Sequence, residues 1–130
     1  IGFVAFSPLA NGLLTAAYHS HGEFERPGDY RSMMPQFTEE GLKENERFML
    51  WIRQLAEEKN ATPAQISLAW MRAKKPYIVP IPGTRKVNRL EENMKSADIK
   101  LTQDEVKSID DRLNHMPMSQ VFGGSKIQKK

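Results

Sequence analysis

Residues 77–93, YIVPIPGTRKVNRLEEN, combine a short apolar run, a turn and the beginning of an amphipathic helix. The run from Tyr77 to Ile81 is typical of a strand, and Pro82-Gly83-Thr84 is typical of a turn. Four apolar residues at three- and four-residue spacing are predicted to face the core: Val87, Leu90, Met94 and Ala97. The stretch therefore predicts a strand that leads directly into a helix.

A second apolar run opens the sequence at Ile1–Phe6. Strands that helices cover on both faces have such continuous apolar sequences, so we expect a buried strand in the middle of a parallel sheet. A chain that begins with such a strand is expected to be part of a larger structure. After the turn-rich Ser7–Gly12, the polar stretch Ala16–Pro35 predicts a long loop, either a functional lid or a disordered segment.

Two helices are predicted between the strands. The first begins at Thr38 and ends near Lys59. Its apolar face consists of Leu42, Phe48, Met49, Ile52, Leu55 and Ala56. The second begins at Thr62-Pro63-Ala64-Gln65, a capping threonine followed by proline and glutamine, and ends at Lys75-Pro76. Its predicted buried stripe consists of Ile66, Ala69, Trp70 and Ala73.

A last helix begins at the capping box Thr102–Glu105, with Val106, Ile109 and Leu113 facing inward. The order strand, helix, helix, strand, helix, helix predicts an α/β fold in which a helical crossover joins two parallel strands. Two strands cannot close a barrel, and both would keep an unpaired edge. We expect residues 1–115 to form this unit and residues 116–130 to be a flexible tail.

Composition excludes several classes of function. Without cysteine, the 130-residue chain has no disulfide scaffold, thiolate zinc site or cysteine nucleophile. Its net charge of +3 is too small and too dispersed for a nucleic-acid surface. No apolar run approaches the roughly 18 residues of a membrane span. We therefore expect a cytoplasmic protein without a nucleic-acid, membrane or metal partner.

The turn and helix start at Gly83–Lys86 have the features of a phosphate site. A helix N-terminus exposes backbone N–H groups and the positive end of its dipole, and glycine allows close approach. Arg85 and Arg89 share one face if the helix already includes Arg85, and guanidinium groups suit phosphate. Glu92 and Asn93 lie one turn further and could hydrogen-bond an adenine or a ribose. An ordinary charged, solvated helix start would have the same spacing.

The loop after the first strand, Ser7–Gly12, is a second candidate. The Ser7 hydroxyl and the backbone N–H groups before Gly12 could hold a pyrophosphate, although a plain tight turn would look similar. In (β/α)8 barrels, the loops that leave strands seven and eight commonly form a phosphate site at the C-terminal face. Both strands of this sequence are followed by such loops.

Three separated segments together resemble one known family. They are IGFVAFSPLANGLLT (residues 1–15), ATPAQISLAW (residues 61–70) and VPIPGTRKVNRLEEN (residues 79–93). In this order they are similar to the C-terminal part of the aldo-keto reductases, and the resemblance extends to about Leu113. It implies an incomplete (β/α)8 TIM barrel, strands seven and eight with their helices. It also implies an NADPH-dependent oxidoreductase that reduces aldehydes or ketones.

The resemblance also implies a role for particular residues in binding NADPH or NADP. Ser7, Leu9 and Gly12 would contact the pyrophosphate. The 2′-phosphate end would be held by Gly83, Thr84 and Arg85 with help from Arg89, and the adenine would meet Glu92 and Asn93. The loop Ala16–Pro35 would lie over the cofactor, with Arg31 as a further contact. The usual Leu-Thr-Gly of the first loop reads Leu14-Thr15-Ala16 here.

The catalytic residues of the family have no counterpart in this sequence. The resemblance places the catalytic Asp, Tyr, Lys and His in the first half of the barrel. Tyr18, His19 and His21 are predicted to be solvated loop residues, and His115 a surface residue. We therefore expect an NADPH-binding portion that is inactive alone. The alternative is a non-enzymatic, truncated nucleotide-binding or structural association module. An exposed apolar sheet would favour a homo-oligomer or association with a missing N-terminal half.

Overall fold

A computed structural model of the chain describes residues 1–120 and shows an α/β fold. Its two strands, β1 (Phe3–Ala5) and β2 (Ile78–Pro80), pair in parallel. Four α-helices follow the predicted order: α1 (Glu39–Glu58), α2 (Pro63–Lys74), α3 (Val87–Lys95) and α4 (Gln103–His115). The α1–α2 pair forms the crossover between the strands. The predicted fold class is confirmed.

Side-chain caps begin three of these helices at the predicted residues. Thr38 accepts a hydrogen bond from the N–H of Gly41 at the start of α1. Full capping boxes join Thr62 to Gln65 and Thr102 to Glu105, satisfying backbone N–H groups that a helix start leaves unpaired. The helix α2 ends at Lys74, directly before the Lys75-Pro76 pair, as predicted.

A single hydrophobic core lies where α1, α2 and α4 meet the chain that precedes α1. On the predicted inner face of α1, Phe48, Met49, Ile52, Leu55 and Ala56 are buried. The sixth predicted residue, Leu42, is half-buried and packs against the core. From α2 and α4, the core takes Ile66, Leu68, Ala69 and Ile109. Ala73, predicted to be buried, is exposed because it lies in the last turn of α2, beyond the part that the other helices cover.

The sheet and α3 have apolar residues that the described chain does not cover. The first strand was expected to be buried, yet Phe3 and Val4 are each more than half exposed, as is Val79 of β2. The predicted inner face of α3 is also wrong for this chain: Val87, Leu90, Met94 and Ala97 are exposed. The spacing correctly marks one side of a helix, but a pattern does not supply the element that would pack on it.

The stretch predicted as a polar loop, Ala16–Pro35, is packed against the core. It contains the 3-10 helices His21–Phe24 and Tyr30–Met33, and a third, Pro35–Phe37, follows. The ring centroids of Phe24 and Phe37 are 4.5 Å apart, and neither side chain is exposed. A few large apolar residues without helical or strand spacing anchor this stretch, so periodicity could not reveal them.

The first residues of the predicted tail are attached to the core. Met116 and Met118 pack against it. The Ser119 hydroxyl accepts a hydrogen bond from the Asn45 amide nitrogen, and the Ser119 backbone N–H donates to the Asn45 carbonyl oxygen, at 2.8 and 3.0 Å. The remainder of that tail, residues 121–130, lies outside the described residues. Within residues 1–120, no helix combines the length and the apolar composition that a membrane crossing requires.

Candidate functional site

A cavity of about 540 Å³ lies between the loops that leave β1 and β2. Parallel strands end at the same edge of a sheet, so the two loops meet there although the strand ends, Ala5 and Pro80, are 75 positions apart in sequence. Eight of the nine predicted site residues line the cavity: Ser7, Leu9, Gly12, Gly83, Thr84, Arg89, Glu92 and Asn93. Arg85 is exposed and is not among the lining residues.

The first loop is a compact turn with left-handed backbone conformations. Ser7, Ala10 and Asn11 have φ angles of 48°, 49° and 58°, and Gly12 has 104°. A Cβ atom on Gly12 would lie 3.0 Å from the Tyr18 ring, so both the conformation and the space favour glycine. Of the N–H groups before Gly12 that were predicted to hold a pyrophosphate, that of Ala10 is used within the turn. The N–H groups of Ala10 and Gly12 donate to Ser7 O and Leu9 O, both at 2.9 Å.

The second loop ends in the helix α3, which begins at Val87. The Thr84 hydroxyl accepts a hydrogen bond from the Lys86 N–H at 3.1 Å and closes a turn before the helix. Arg85 therefore precedes the helix, and it does not share a helical face with Arg89. A Cβ atom on Gly83 would meet no protein atom within 4 Å, so the backbone there faces open space at the cavity.

Glu92 accepts hydrogen bonds from three side chains. Its carboxylate accepts the Thr62 hydroxyl on one oxygen and the Arg89 guanidinium on the other, both at 2.8 Å. Its backbone carbonyl accepts the amide of Gln65 at 2.8 Å. The start of α2 is thus joined to the middle of α3. The Asn93 side chain, which also lines the cavity, has no hydrogen-bond partner among residues 1–120.

A second group of hydrogen bonds involves the loop beside the cavity. Arg31 forms a bidentate ion pair with Asp29 and donates to the Tyr18 hydroxyl at 2.8 Å. The Arg31 guanidinium lowers the pKa of Asp29 from 3.8 to about 2, and Asp29 in turn raises the pKa of Arg31. Arg31 was predicted as a cofactor contact, and the structure shows its guanidinium engaged within its own loop.

Sequence reasoning missed several cavity residues. The main additions are Phe6, Asn11, Thr15, Tyr18 and Tyr30. Phe6 directly follows β1 and precedes Ser7, so it lies at the edge of the sheet where both loops begin. Its position in the sequence could therefore have indicated that it lines the cavity. No local pattern predicts that Tyr18 and Tyr30 approach the cavity, because the packing of Phe24 and Phe37 folds their loop back on the core.

The histidines lie outside this cavity. His21 Nδ1 hydrogen-bonds Phe37 O at 2.8 Å, and the Tyr18 ring packs on Phe24 with centroids 4.9 Å apart. The prediction that Tyr18 and His21 are solvated is therefore wrong, since both are half-buried in packed surroundings. His19 and His115 are exposed, as predicted. In the part of the chain that the structure describes, no group of three His, Asp or Glu side chains could hold a metal ion.

The chain is similar to proteins of one family. The profile described as the Aldo/keto reductase family matches residues 1–114. Aldo-keto reductase str7 of Strobilurus tenacellus is 41% identical over 109 residues, which are 84% of this chain and 32% of that protein. Aldo-keto reductase yakc [NADP(+)] of Schizosaccharomyces pombe is 40% identical over 109 residues, with the same two shares. The chain spans about a third of the length of these relatives.

Solved structures agree with the sequence comparison. A thermostable aldo-keto reductase, Tm1743, crystallised with the inhibitor epalrestat, matches 85% of this chain and 29% of its own length. The TM-score is 0.55 and the sequence identity 30%. The two strands and four helices thus correspond to part of an aldo-keto reductase barrel, as the sequence predicted.

Proposed function

This chain belongs to the aldo/keto reductase family, and we propose that it is the C-terminal, NADPH-binding portion of a reductase of aldehydes or ketones. One observation carries the proposal: loops from the two strand ends, distant in sequence, bring Ser7, Thr84 and Arg89 to one cavity. The relative from Schizosaccharomyces pombe carries NADP(+) in its name. A cytoplasmic location belongs to the proposal as an expectation.

The residues of the cavity fit the phosphate-bearing end of a dinucleotide. Its volume of about 540 Å³ lies within the usual range of small-molecule sites. Arg89 supplies a guanidinium, which can hold a phosphate through several N–H groups. Ser7 and Thr84 supply hydroxyl groups that can donate to phosphate oxygens. Beside Gly83, a phosphate can approach the backbone without meeting a side chain.

Each loop then has its own part in binding. The Arg89 guanidinium and the Thr84 hydroxyl would hold the 2′-phosphate, with Gly83 allowing close approach. Ser7, Leu9 and Gly12 would hold the pyrophosphate, mainly through the serine hydroxyl, because neighbouring N–H groups are used within the turn. The Asn93 amide, which lines the same cavity, can hydrogen-bond the adenine or ribose.

NADPH, when bound, supplies a hydride to a carbonyl carbon. The chain's own contribution would be to anchor and orient the cofactor, which is a large part of what proteins do for cofactor chemistry. The described residues offer no counterpart of the catalytic Asp, Tyr, Lys and His that the family resemblance implies. We therefore expect binding without turnover. Sustained NADPH oxidation with an aromatic aldehyde by the purified chain would contradict this part of the proposal.

Comparing NADPH with NADH tests the 2′-phosphate assignment. Arg89→Ala should weaken NADPH binding by roughly tenfold or more, the scale of losing a charge-assisted hydrogen bond, and should change NADH binding much less. Arg85→Ala should also weaken NADPH binding more than NADH binding, but by a smaller factor. Arg72→Ala on the exposed side of α2 serves as the matched control. Equal losses for both nucleotides would overturn the assignment.

A structural association module is the second candidate, and the exposed apolar face favours it. Phe3 and Val4 of β1 and Val87 and Met94 of α3 are solvent-exposed at 58% or more. Exposed apolar patches and unpaired strand edges commonly bind other chains. On this proposal the chain associates with itself or with the remaining two thirds of a barrel. Failure to bind any nucleotide, together with concentration-dependent self-association, would favour this candidate over cofactor binding.

A further inference from the structure

We propose that Thr62 is a positioning residue for phosphate recognition: its hydroxyl orients the Glu92 carboxylate, which holds the Arg89 guanidinium at the cavity. Thr62 is not among the residues that line the cavity and would not touch a ligand there. This inference rests on the proposed function, because it assigns the means by which the same site selects a 2′-phosphate. It adds a residue on another helix to that site.

The contacts form one continuous chain. Thr62 Oγ1 donates to Glu92 Oε1 at 2.8 Å, and Arg89 Nη1 donates to Glu92 Oε2 at 2.8 Å. The Glu92 side chain is only 18% exposed, whereas the Arg89 side chain is 48% exposed. The guanidinium thus reaches the cavity from a partly buried anchor. An anchored carboxylate restricts an arginine more than a fully solvated surface pair would.

The backbone of Glu92 is held at the same place. Gln65 donates its side-chain amide to Glu92 O at 2.8 Å, while its own amide oxygen accepts the Thr62 N–H at 3.0 Å. The capping box of α2 therefore holds both the main chain and the carboxylate of Glu92. Since α3 contains both Glu92 and Arg89, this contact fixes where the helix presents its guanidinium.

Glu92 is expected to meet the adenine, and the contacts give its carboxylate a second task, that of holding Arg89. Each carboxylate oxygen already accepts one charged or hydroxyl donor. An arginine has five N–H donors, and the Glu92 contact uses one of them, which leaves donors available for a phosphate. A guanidinium held in place before binding loses less side-chain entropy when the phosphate arrives. The neighbouring Asn93, which was assigned to the adenine together with Glu92, lines the same cavity.

Calorimetric titration of the full chain with 2′,5′-ADP and with 5′-AMP tests this inference. The two nucleotides differ in the 2′-phosphate. The dissociation constant of 5′-AMP divided by that of 2′,5′-ADP therefore measures how strongly the 2′-phosphate is recognised. Thr62→Val should lower the preference for 2′,5′-ADP by roughly fivefold or more, part of the effect of a charge-assisted hydrogen bond. Thr62→Ser keeps the hydroxyl and should restore the preference.

Two further variants separate positioning from folding. Thr102→Val removes the corresponding threonine from the capping box of α4, and it should leave the ratio unchanged. Thr62→Asp keeps a good helix cap but cannot donate to Glu92 and places a like charge beside it, so it should lower the ratio even if Thr62→Val does not fold. In an Arg89→Ala background, Thr62→Val should have no further effect on the ratio.

Each other outcome counts against a specific statement. An unchanged ratio in Thr62→Val, or in Thr62→Asp if the valine variant is unfolded, overturns the positioning role of Thr62. Parallel losses for both nucleotides in the Thr62 and Thr102 variants would show a purely structural role and overturn it as well. If the unsubstituted chain binds neither nucleotide saturably, the proposed function fails, and this inference fails with it.

Discussion

The side of the molecule formed by α1, α2, α4 and the preceding 3-10 helices differs sharply from the side formed by the sheet and α3. On the first side, Phe37 is fully buried among aromatic and aliphatic neighbours. On the second, Phe3 is 58% exposed although its strand is paired. A phenylalanine therefore stabilises the core on the first side, whereas on the second it forms part of an exposed apolar surface that another chain could contact.

This difference explains how a third of a barrel can keep an ordered structure. Helix caps need only neighbours in the sequence, and the helices that pack together, α1, α2 and α4, all lie within 77 consecutive residues, Glu39–His115. A parallel sheet in a barrel needs strands on both sides and helices on its outer face. The candidate site lies at the boundary between the two sides, where α2 holds α3 through Glu92.

The largest expected effect is on stability, when a phenylalanine on the helical side is replaced by alanine and compared with the same replacement on the sheet side. Phe37→Ala should destabilise the chain by about 3–5 kcal/mol, the usual cost of emptying a buried phenylalanine site, whereas Phe3→Ala should change stability by less than about 0.5 kcal/mol. Urea unfolding followed by tryptophan fluorescence measures both. Similar losses for the two variants would mean that the sheet side is as well packed as the helical side.

The attachment of residues 116–120 is expected to have the next largest effect. Asn45→Ala removes the buried amide that makes both hydrogen bonds to Ser119, and the loss should be about 1–3 kcal/mol. Gln54→Ala, on the exposed face of the same helix, is the matched control and should cost much less. If Asn45→Ala unfolds at the same urea concentration as the control, this contact does not stabilise the helical side.

Self-association tests the sheet side. We expect the chain to associate as its concentration rises, because β1 and β2 expose apolar side chains and unpaired edges. Val79→Lys should weaken association roughly tenfold, since a charge on an apolar contact surface is costly to bury. Leu50→Lys places the same charge at a similarly exposed apolar residue of α1 and should have little effect. If light scattering shows that the unsubstituted chain and both lysine variants stay monomeric as the concentration rises, the predicted self-association is wrong.

The fold was predictable where the sequence contains its own boundaries. Thr38, Thr62 and Thr102 mark helix starts through side-chain hydrogen bonds to neighbouring N–H groups, and Lys75-Pro76 marks a helix end by a local steric effect. These signals need no distant partner. Whether the apolar face of α3 is buried could not be predicted in the same way. The spacing of its apolar residues defines that face, but it does not show which other element packs on it.

The site was predictable in part for a similar reason. Ser7 and Thr84 lie in the loops that leave the two parallel strands, so the topology brings both loops to one edge of the sheet. The long-range hydrogen bond from Thr62 to Glu92 depends on how α2 and α3 pack, which no local pattern shows. Nor could spacing show that the Thr84 hydroxyl closes a turn and leaves Arg85 outside the helix.

The smallest expected effect concerns the loop beside the cavity. The pKa of Asp29 is lowered from 3.8 to about 2. The contribution of its ion pair to the stability of the folded chain is therefore present above about pH 4 and is lost as the pH falls towards 2. The Arg31 backbone N–H donates to Asp29, and its NMR shift should titrate with a midpoint near 2. Asp29→Asn should abolish this transition. A midpoint near 4 would contradict the strong ion pair with Arg31.

Amide NMR shifts of the chain titrated with NADP+ test the central claim most directly. We predict saturable shifts confined to the two strand-end loops and α3, at Ser7–Gly12, Gly83–Arg89 and Asn93. The amides of α1 and α4 on the helical side should remain unchanged. Shifts that cluster on the helical side instead, or the absence of saturable shifts in a folded chain, would contradict the assignment of this cavity to the cofactor.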